Sequence, residues 1–280
     1  KEDGSFRLNM KYFNYMTGLT MINKDFENLF KRKARLSESK MSQFYMDIAS
    51  SIQSITEDIL IKIVINLSKR FSSKNLCLAG GVALNCVATG KLENANIFKN
   101  IWIQPAAGDA GGALGAALGF WYDSKGLGNK RIVSKKTHDG MKGAYLGPAY
   151  KNIQIKKVLI EENIKFEEVS DFEKIKKAAE YLKEGKYIGW FQGRMEFGPR
   201  ALGNRSILAN PLLSNTQKSL NLKIKYRESF RPFAPSILYE KAGEWFINAN
   251  KSQYMGFVKE ISYEKRLKLS ELDLNKSGEE

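Results

Sequence analysis

The chain has 280 residues, 43% of them hydrophobic and 27% charged, with a net charge of +15. That length suits one large domain or two ordinary ones, and the composition is that of a globular protein with a real core. No apolar run approaches the roughly 20 residues of a membrane span, two cysteines are too few for a disulfide framework, and a lone histidine excludes a multi-histidine metal centre built from this chain.

The alternation Phe6-Arg7-Leu8-Asn9-Met10 predicts an edge strand. Residues 41–71 predict a long amphipathic helix whose stripe is Phe44, Ile48, Ile52, Ile55, Ile59, Ile63 and Leu67. Asn75 to Ala79 reads as a short strand leading into Gly80-Gly81 and a helix from Val82. A strand–Gly-Gly–helix junction offers free backbone N–H groups at the positive end of a helix dipole, where phosphate docks. It is equally a turn that needs glycine for packing, and it lacks the full dinucleotide fingerprint. Asn85, one turn into that helix, is placed to reach a ribose or phosphate. Cys77 and Cys86 flank the junction and read as small buried residues in a reducing cytoplasm.

Ile97 to Gln104 predicts a second strand, followed by Pro105-Ala106-Ala107-Gly108-Asp109-Ala110-Gly111-Gly112 and a small-residue helix to Tyr122. Asp109 at such a junction is either a helix cap or a ligand to metal or phosphate. Residues 126–151 are polar and glycine-rich and read as a linker between domains 1–125 and 152–280. His138 falls in this linker and reads as a surface residue.

In the second domain, Ile153–Glu162 predicts a helix and Ile164–Val169 a strand. Ser170-Asp171-Phe172-Glu173 has the capping-box form and opens another helix, ended by Gly185. A strand from Tyr187 to Phe191 runs into Gly193-Arg194-Met195-Glu196-Phe197-Gly198-Pro199-Arg200-Ala201-Leu202-Gly203-Asn204-Arg205-Ser206. Strands are predicted at Ser206–Ala209, Ala234–Tyr239 and Tyr254–Val258, and helices at Thr216–Ile224 and Lys241–Ile247. A second basic cluster, Lys225-Tyr226-Arg227-Glu228-Ser229-Phe230-Arg231-Pro232-Phe233, lies between them. Arginine forks suit phosphate and carboxylate oxygens, so the two clusters together predict a polyanion site. Glu196 reads as an ion-pair partner that orients an arginine. The Lys-rich runs elsewhere read as solvated faces, with little aromatic interleaving for nucleic acid.

Four ordered blocks now carry a resemblance: CLAGGVALN from Cys77, PAAGDAGGA from Pro105, GRMEFGPRALGNRSILA from Gly193 and KYRESFRPFAPSI from Lys225. The chain resembles the NodU/TobZ-type O-carbamoyltransferases. The resemblance implies an α/β fold, with half of an actin-like ATPase (ASKHA) domain followed by a YrdC-like open twisted α/β domain. It implies that the family pattern extends before Lys1 and after Glu280, and that a full-length form is a homodimer. It also implies formation of carbamoyl-adenylate from carbamoyl phosphate and ATP, then transfer of the carbamoyl group to an acceptor hydroxyl. Arg194, Arg200, Ser206, Lys225, Arg227 and Arg231 become the expected catalytic set. Gly80, Gly81, Asn85, Gly108 and Gly111 become the expected nucleotide contacts. Asp109 becomes one ligand of a divalent metal, iron or magnesium, whose other ligands lie outside this chain. The alternatives are a threonylcarbamoyl-adenylate enzyme of tRNA modification and a non-catalytic nucleotide- or RNA-binding module.

Overall fold

The computed structural model describes residues 1–123, 125–130, 139–249 and 252–268. The expectation for His138 lies outside them. The fold is mixed α/β, with helices around two small sheets.

The N-terminal stretch does not form the expected edge strand. Met10–Tyr12 is a single 3₁₀ turn, and Phe6 and Leu8 are exposed. A short helix α1 (Lys24–Phe30) follows, capped by Asn23, whose side chain accepts from the Asp25 and Phe26 amides. The long helix α2 spans Gln43–Arg70. Its buried face differs from the expected stripe: Ile52 and Ile55 are exposed, while Glu57 and Val64 are buried. Val64 packs with Leu76, Leu92 and Phe98, and Leu60, Ile61 and Leu67 close the cluster. The register is set by where α2 meets helix α3 (Cys86–Asn94), not by the most apolar stripe.

Strands β1 (Asn75–Leu78) and β2 (Asn100–Ile103) pair in parallel, Asn75 opposite Asn100 and Leu78 opposite Ile103. The crossover between them is α3, a short βαβ unit. Helix α4 (Asp109–Tyr122) leaves the end of β2 and buries no residue; Leu118, Phe120, Trp121 and Tyr122 are all exposed. Cys77 is exposed and Cys86 half-buried, so Cys77 is not the buried small residue expected.

Helices α5 (Asn152–Glu161) and α6 (Asp171–Lys183) lie where the pattern predicts them. The α6 capping box is complete: the Glu173 amide donates to the Ser170 hydroxyl and Glu173 accepts the Ser170 amide. Strands β3 (Ile188–Phe191) and β4 (Arg205–Leu208) form an antiparallel pair, Ile188 opposite Leu208. The segments 164–169, 234–239 and 254–258 are not strands, so among the described residues the second sheet has two strands instead of a wide open one. Short helices α7 (Thr216–Ser219) and α8 (Ala242–Trp245) complete the set.

Residues 254–259 do not stay with the second half. The Val258 amide donates to the Cys86 carbonyl, the Thr89 hydroxyl to the Gly256 carbonyl, and Lys259 pairs with Glu93. Trp102 meets Tyr254 edge-on. Tyr254 Oη lies 2.7 Å and 2.9 Å from the two Asp139 carboxylate oxygens and accepts the Gly143 amide. Burial and the Asp139 carboxylate together push the Tyr254 hydroxyl up to about 12.

Candidate functional site

The first glycine loop begins where β1 ends. Gly80 donates its amide to the Ala107 carbonyl at 2.7 Å, which ties this loop to the start of α4. Gly81–Leu84 is a 3₁₀ turn, and Asn85 follows as the N-cap of α3, its Oδ1 accepting the Ala88 amide. Asn85 is therefore the cap itself, before the helix and not one turn inside it. Its amide also pairs reciprocally with Gln53 of α2, and Gln53 bonds the buried Glu57. The Lys91 and Gln53 side chains hold the Glu57 carboxyl below the usual range. Gly80 and Gly81 themselves are exposed, with open space where a side chain would stand.

The second glycine loop is Gly108 to Gly111. Gly108 is the N-cap of α4 and Asp109 its first residue, so Asp109 is not the cap; its side chain is exposed at the positive end of the helix. Gly111 is pressed onto the Ala106 carbonyl: a Cβ there would lie 2.1 Å from that oxygen. No group of three metal-ligating side chains exists among the described residues. Asp109 alone does not make a metal site.

The arginine block is folded around Glu196. This side chain is 0% exposed. Its Oε1 accepts from the backbone amides of Leu202 (2.7 Å), Asn204 (2.8 Å) and Arg205 (3.3 Å). Its Oε2 lies 3.4 Å from Arg205 Nε and has no hydrogen-bond partner among the described residues. Burial raises the carboxyl, but the three amides outweigh it and hold Glu196 below the ordinary range. The sequence reading of Glu196 as an arginine's partner is half of its role; the larger part is to close the turn. Residues 144–149 line the same block: Phe197 donates to the Ala144 carbonyl, Met195 to Pro148, and Gly147 to Met195.

This turn faces the first half of the chain. Arg200 Nη2 donates to the Leu84 carbonyl at 3.1 Å, and Arg200 Nε is buried without a partner among the described residues. Gly198, with φ of +128°, lies against Pro105 and Ala106. Arg200 thus bonds the turn that follows the first glycine loop, while Gly198 seats the block against the residues that precede the second. Arg194 is exposed, with one long bond to the Leu146 carbonyl, and the Ser206 hydroxyl accepts the Gly203 amide.

The second cluster is organised by a residue that the sequence reading missed. Asn221 is 0% exposed, in a π-helical turn, Leu220–Ile224, that follows α7. Its Oδ1 accepts Arg227 Nε at 2.7 Å, and its Nδ2 donates to the carbonyls of Ser229 (2.9 Å) and Arg231 (2.7 Å). An asparagine between two leucines in a helical run is the only signal for it. Arg227 also stacks on Phe233. Burial, then the nearby Arg231 charge, lowers the Arg227 guanidinium from its usual value. From the other side, Arg35 pairs with Glu228 at 2.6 Å and Glu38 accepts the Ser229 amide. Glu228 is drawn down to about 2, chiefly by Arg35. Lys225 and Arg231 are exposed. Among the described residues, Arg194, Arg200, Lys225, Arg227 and Arg231 form no ion pair, and no hydrogen bond or ion pair joins the two clusters.

Known proteins are similar to this chain across both of its halves. The family description "Carbamoyltransferase N-terminus" matches residues 1–118 and "Carbamoyltransferase C-terminus" matches residues 179–273. An uncharacterised protein of Synechocystis sp. is 52% identical over 272 residues, covering 96% of this chain and 44% of the relative. Nodulation protein NolNO of Sinorhizobium fredii is 38% identical over 231 residues, 80% of this chain and 32% of the relative. Nodulation protein U of Bradyrhizobium diazoefficiens is 30% identical over 257 residues, 87% of this chain and 39% of the relative. The chain therefore spans less than half the length of each of these relatives. With both halves of one family description matched in order, and the four sequence blocks lying within them, the chain belongs to the carbamoyltransferase family.

Proposed function

We propose that this chain carries part of the machinery of an O-carbamoyltransferase that condenses carbamoyl phosphate with ATP, releases pyrophosphate, and passes the carbamoyl group from carbamoyl-adenylate to a hydroxyl acceptor. The observation that carries the reading is the pair Arg227 and Arg231. Asn221 ties both residues into one loop, through Arg227 Nε and the Arg231 carbonyl, and neither guanidinium has a carboxylate partner among the described residues. Fixed, uncompensated cations of this kind stabilise charge that builds on phosphoryl oxygens, because they need no reorganisation when it forms. Lys225 adds a point charge, and Arg194 and Ser206 offer further donors beside Arg200.

Arg200, with an unpartnered buried Nε, stands between the arginine block and the glycine loops. Gly80, Gly81, Asn85, Gly108 and Gly111 shape the loops that would receive a nucleotide at the start of α4. A divalent metal at Asp109 would need ligands from beyond the described residues. A cytoplasmic homodimer acting on a hydroxyl acceptor is the setting this reading implies.

The test is pyrophosphate release from ATP, with carbamoyl phosphate or with threonine and bicarbonate, on this chain and on the longer Synechocystis relative. Release that depends on carbamoyl phosphate is expected, and Arg200→Ala abolishes it without unfolding the protein. Release that needs threonine and bicarbonate, or none from either protein, overturns the reading.

A further inference from the structure

We propose that Asn221 is a positioning residue that spaces the Arg227 and Arg231 guanidinium groups for a ligand carrying two phosphoryl groups; this rests on the reading of that loop as a phosphate site. Three observations converge on it. Asn221 is fully buried, yet its side chain bonds nothing in its own turn. All three of its side-chain bonds go to the arginine loop. Arg227 is held through its guanidinium Nε, and Arg231 through its main chain, at the carbonyl from which its side chain projects.

The geometry explains why an amide is needed. One side chain must accept from a guanidinium and donate twice to carbonyls, which neither a carboxylate nor a hydroxyl does. With Nε held by Asn221, the two Nη groups of Arg227 have no hydrogen-bond partner among the described residues. They remain available as a fork. The local backbone supports the same end. The π turn closes with the Lys225 amide on the Leu220 carbonyl, and the Arg227 amide reaches back to the Asn221 carbonyl. Between them Tyr226 is held at φ of +48°, in a left-handed conformation that a bulky residue adopts only under constraint, with its side chain exposed. Asn221 thus grips the loop through main chain and side chain at once.

A merely structural asparagine and a positioning one differ in what they do to selectivity. Lost stability lowers the binding of every anion alike. Lost spacing penalises the ligand that must touch both arginines.

The test uses titration calorimetry of pyrophosphate and of orthophosphate on wild type, Asn221→Leu and Asn221→Asp. In wild type, pyrophosphate binds more tightly than orthophosphate. In Asn221→Leu, pyrophosphate affinity falls about tenfold, the scale of one charge-assisted hydrogen bond, and orthophosphate affinity changes less than about threefold. Asn221→Asp serves where the leucine variant does not fold. It keeps the Arg227 Nε contact and loses both carbonyl bonds. Its Nε–H resonance stays protected from exchange while the preference for pyrophosphate shrinks. An unchanged pyrophosphate-to-orthophosphate ratio in the folded variants overturns the positioning role alone. Wild type that binds neither anion overturns the phosphate reading beneath it.

Discussion

Glu196 supplies the most direct test of how the arginine block is held. Its Oε1 collects three backbone amides, from Leu202, Asn204 and Arg205, and no water-exposed surface remains on the side chain. In Glu196→Ala those donors lose their acceptor together, and Arg205 Nε loses the carboxylate 3.4 Å away. A buried donor left unpaired costs about 1–3 kcal/mol, and breaking a buried ion pair costs about 3–5 kcal/mol. The amides are only part-buried and water can enter the vacated space, so the losses do not sum. We expect Glu196→Ala to cost about 3–4 kcal/mol. Glu196→Gln keeps an oxygen acceptor in place and loses only the charge assistance, about 1–2 kcal/mol.

Equilibrium urea unfolding of wild type and both variants reads this directly. With a slope on the order of 3 kcal/mol per molar, the alanine variant unfolds about 1 M earlier. The pH dependence carries a second signature. The folded carboxyl lies below its ordinary value, so its contribution is complete above the unfolded pKa of about 4.5 and is lost as pH falls. The gap between wild type and Glu196→Gln therefore closes as pH drops below about 4. An alanine variant within 1 kcal/mol of wild type, or a glutamine variant as damaged as alanine, would refute the reasoning.

Two further outcomes follow from contacts that join distant parts of the chain. Glu228, drawn down to about 2 by Arg35, contributes stability above its unfolded value of about 4.5 and loses it as pH falls toward 2. Glu228→Gln should remove that acid-sensitive step from denaturation curves taken between pH 5 and 2; an unchanged pH profile would mean that the Arg35 pair is not formed in solution. Gly198 has φ of +128° and a Cβ there would lie 3.2 Å from the Pro105 carbonyl. Gly198→Ala should cost about 1–3 kcal/mol in thermal or urea unfolding, and a neutral result would mean that the turn does not seat on Pro105.

Local signals in the sequence translated well where a single element answers to its own residues. The Ser170–Glu173 capping box, the helices α5 and α6, and the apolar run into β3 needed no partner to be recognised. The long helix α2 was legible as a helix but not in its buried face. Ile52 and Ile55 outweigh Glu57 on any hydropathy count, yet Glu57 is the buried one, because Lys91 and Gln53 satisfy its charge. A residue's own polarity cannot report a partner 34 positions away. The same limit hid Asn221, whose value lies in three bonds to residues six to ten positions on.

The segments read as strands at 234–239 and 254–258 fail for a related reason. Alternating or apolar runs mark a chain that can be extended, but a strand also needs a neighbour with a free edge, and Met255 turns out of the extended region at φ of +54°. Residues 254–258 find instead the end of α3 and the edge-on face of Trp102, where Thr89 and Cys86 take up backbone groups singly. That choice matters for the site. It pins the chain after the second cluster onto the helix capped by Asn85, as Arg200 pins the first cluster onto Leu84 in the turn just before that cap. Both arginine clusters are therefore anchored to elements of the first half, one through Leu84 and one through Arg35 and Glu38. A shift of the glycine loops on binding a ligand must move Leu84, and the Arg200 side chain is the part of the second half that Leu84 holds. The glycine loops and the arginine block are in this sense one mechanical unit, although the sequence presents them as separate motifs more than 80 residues apart.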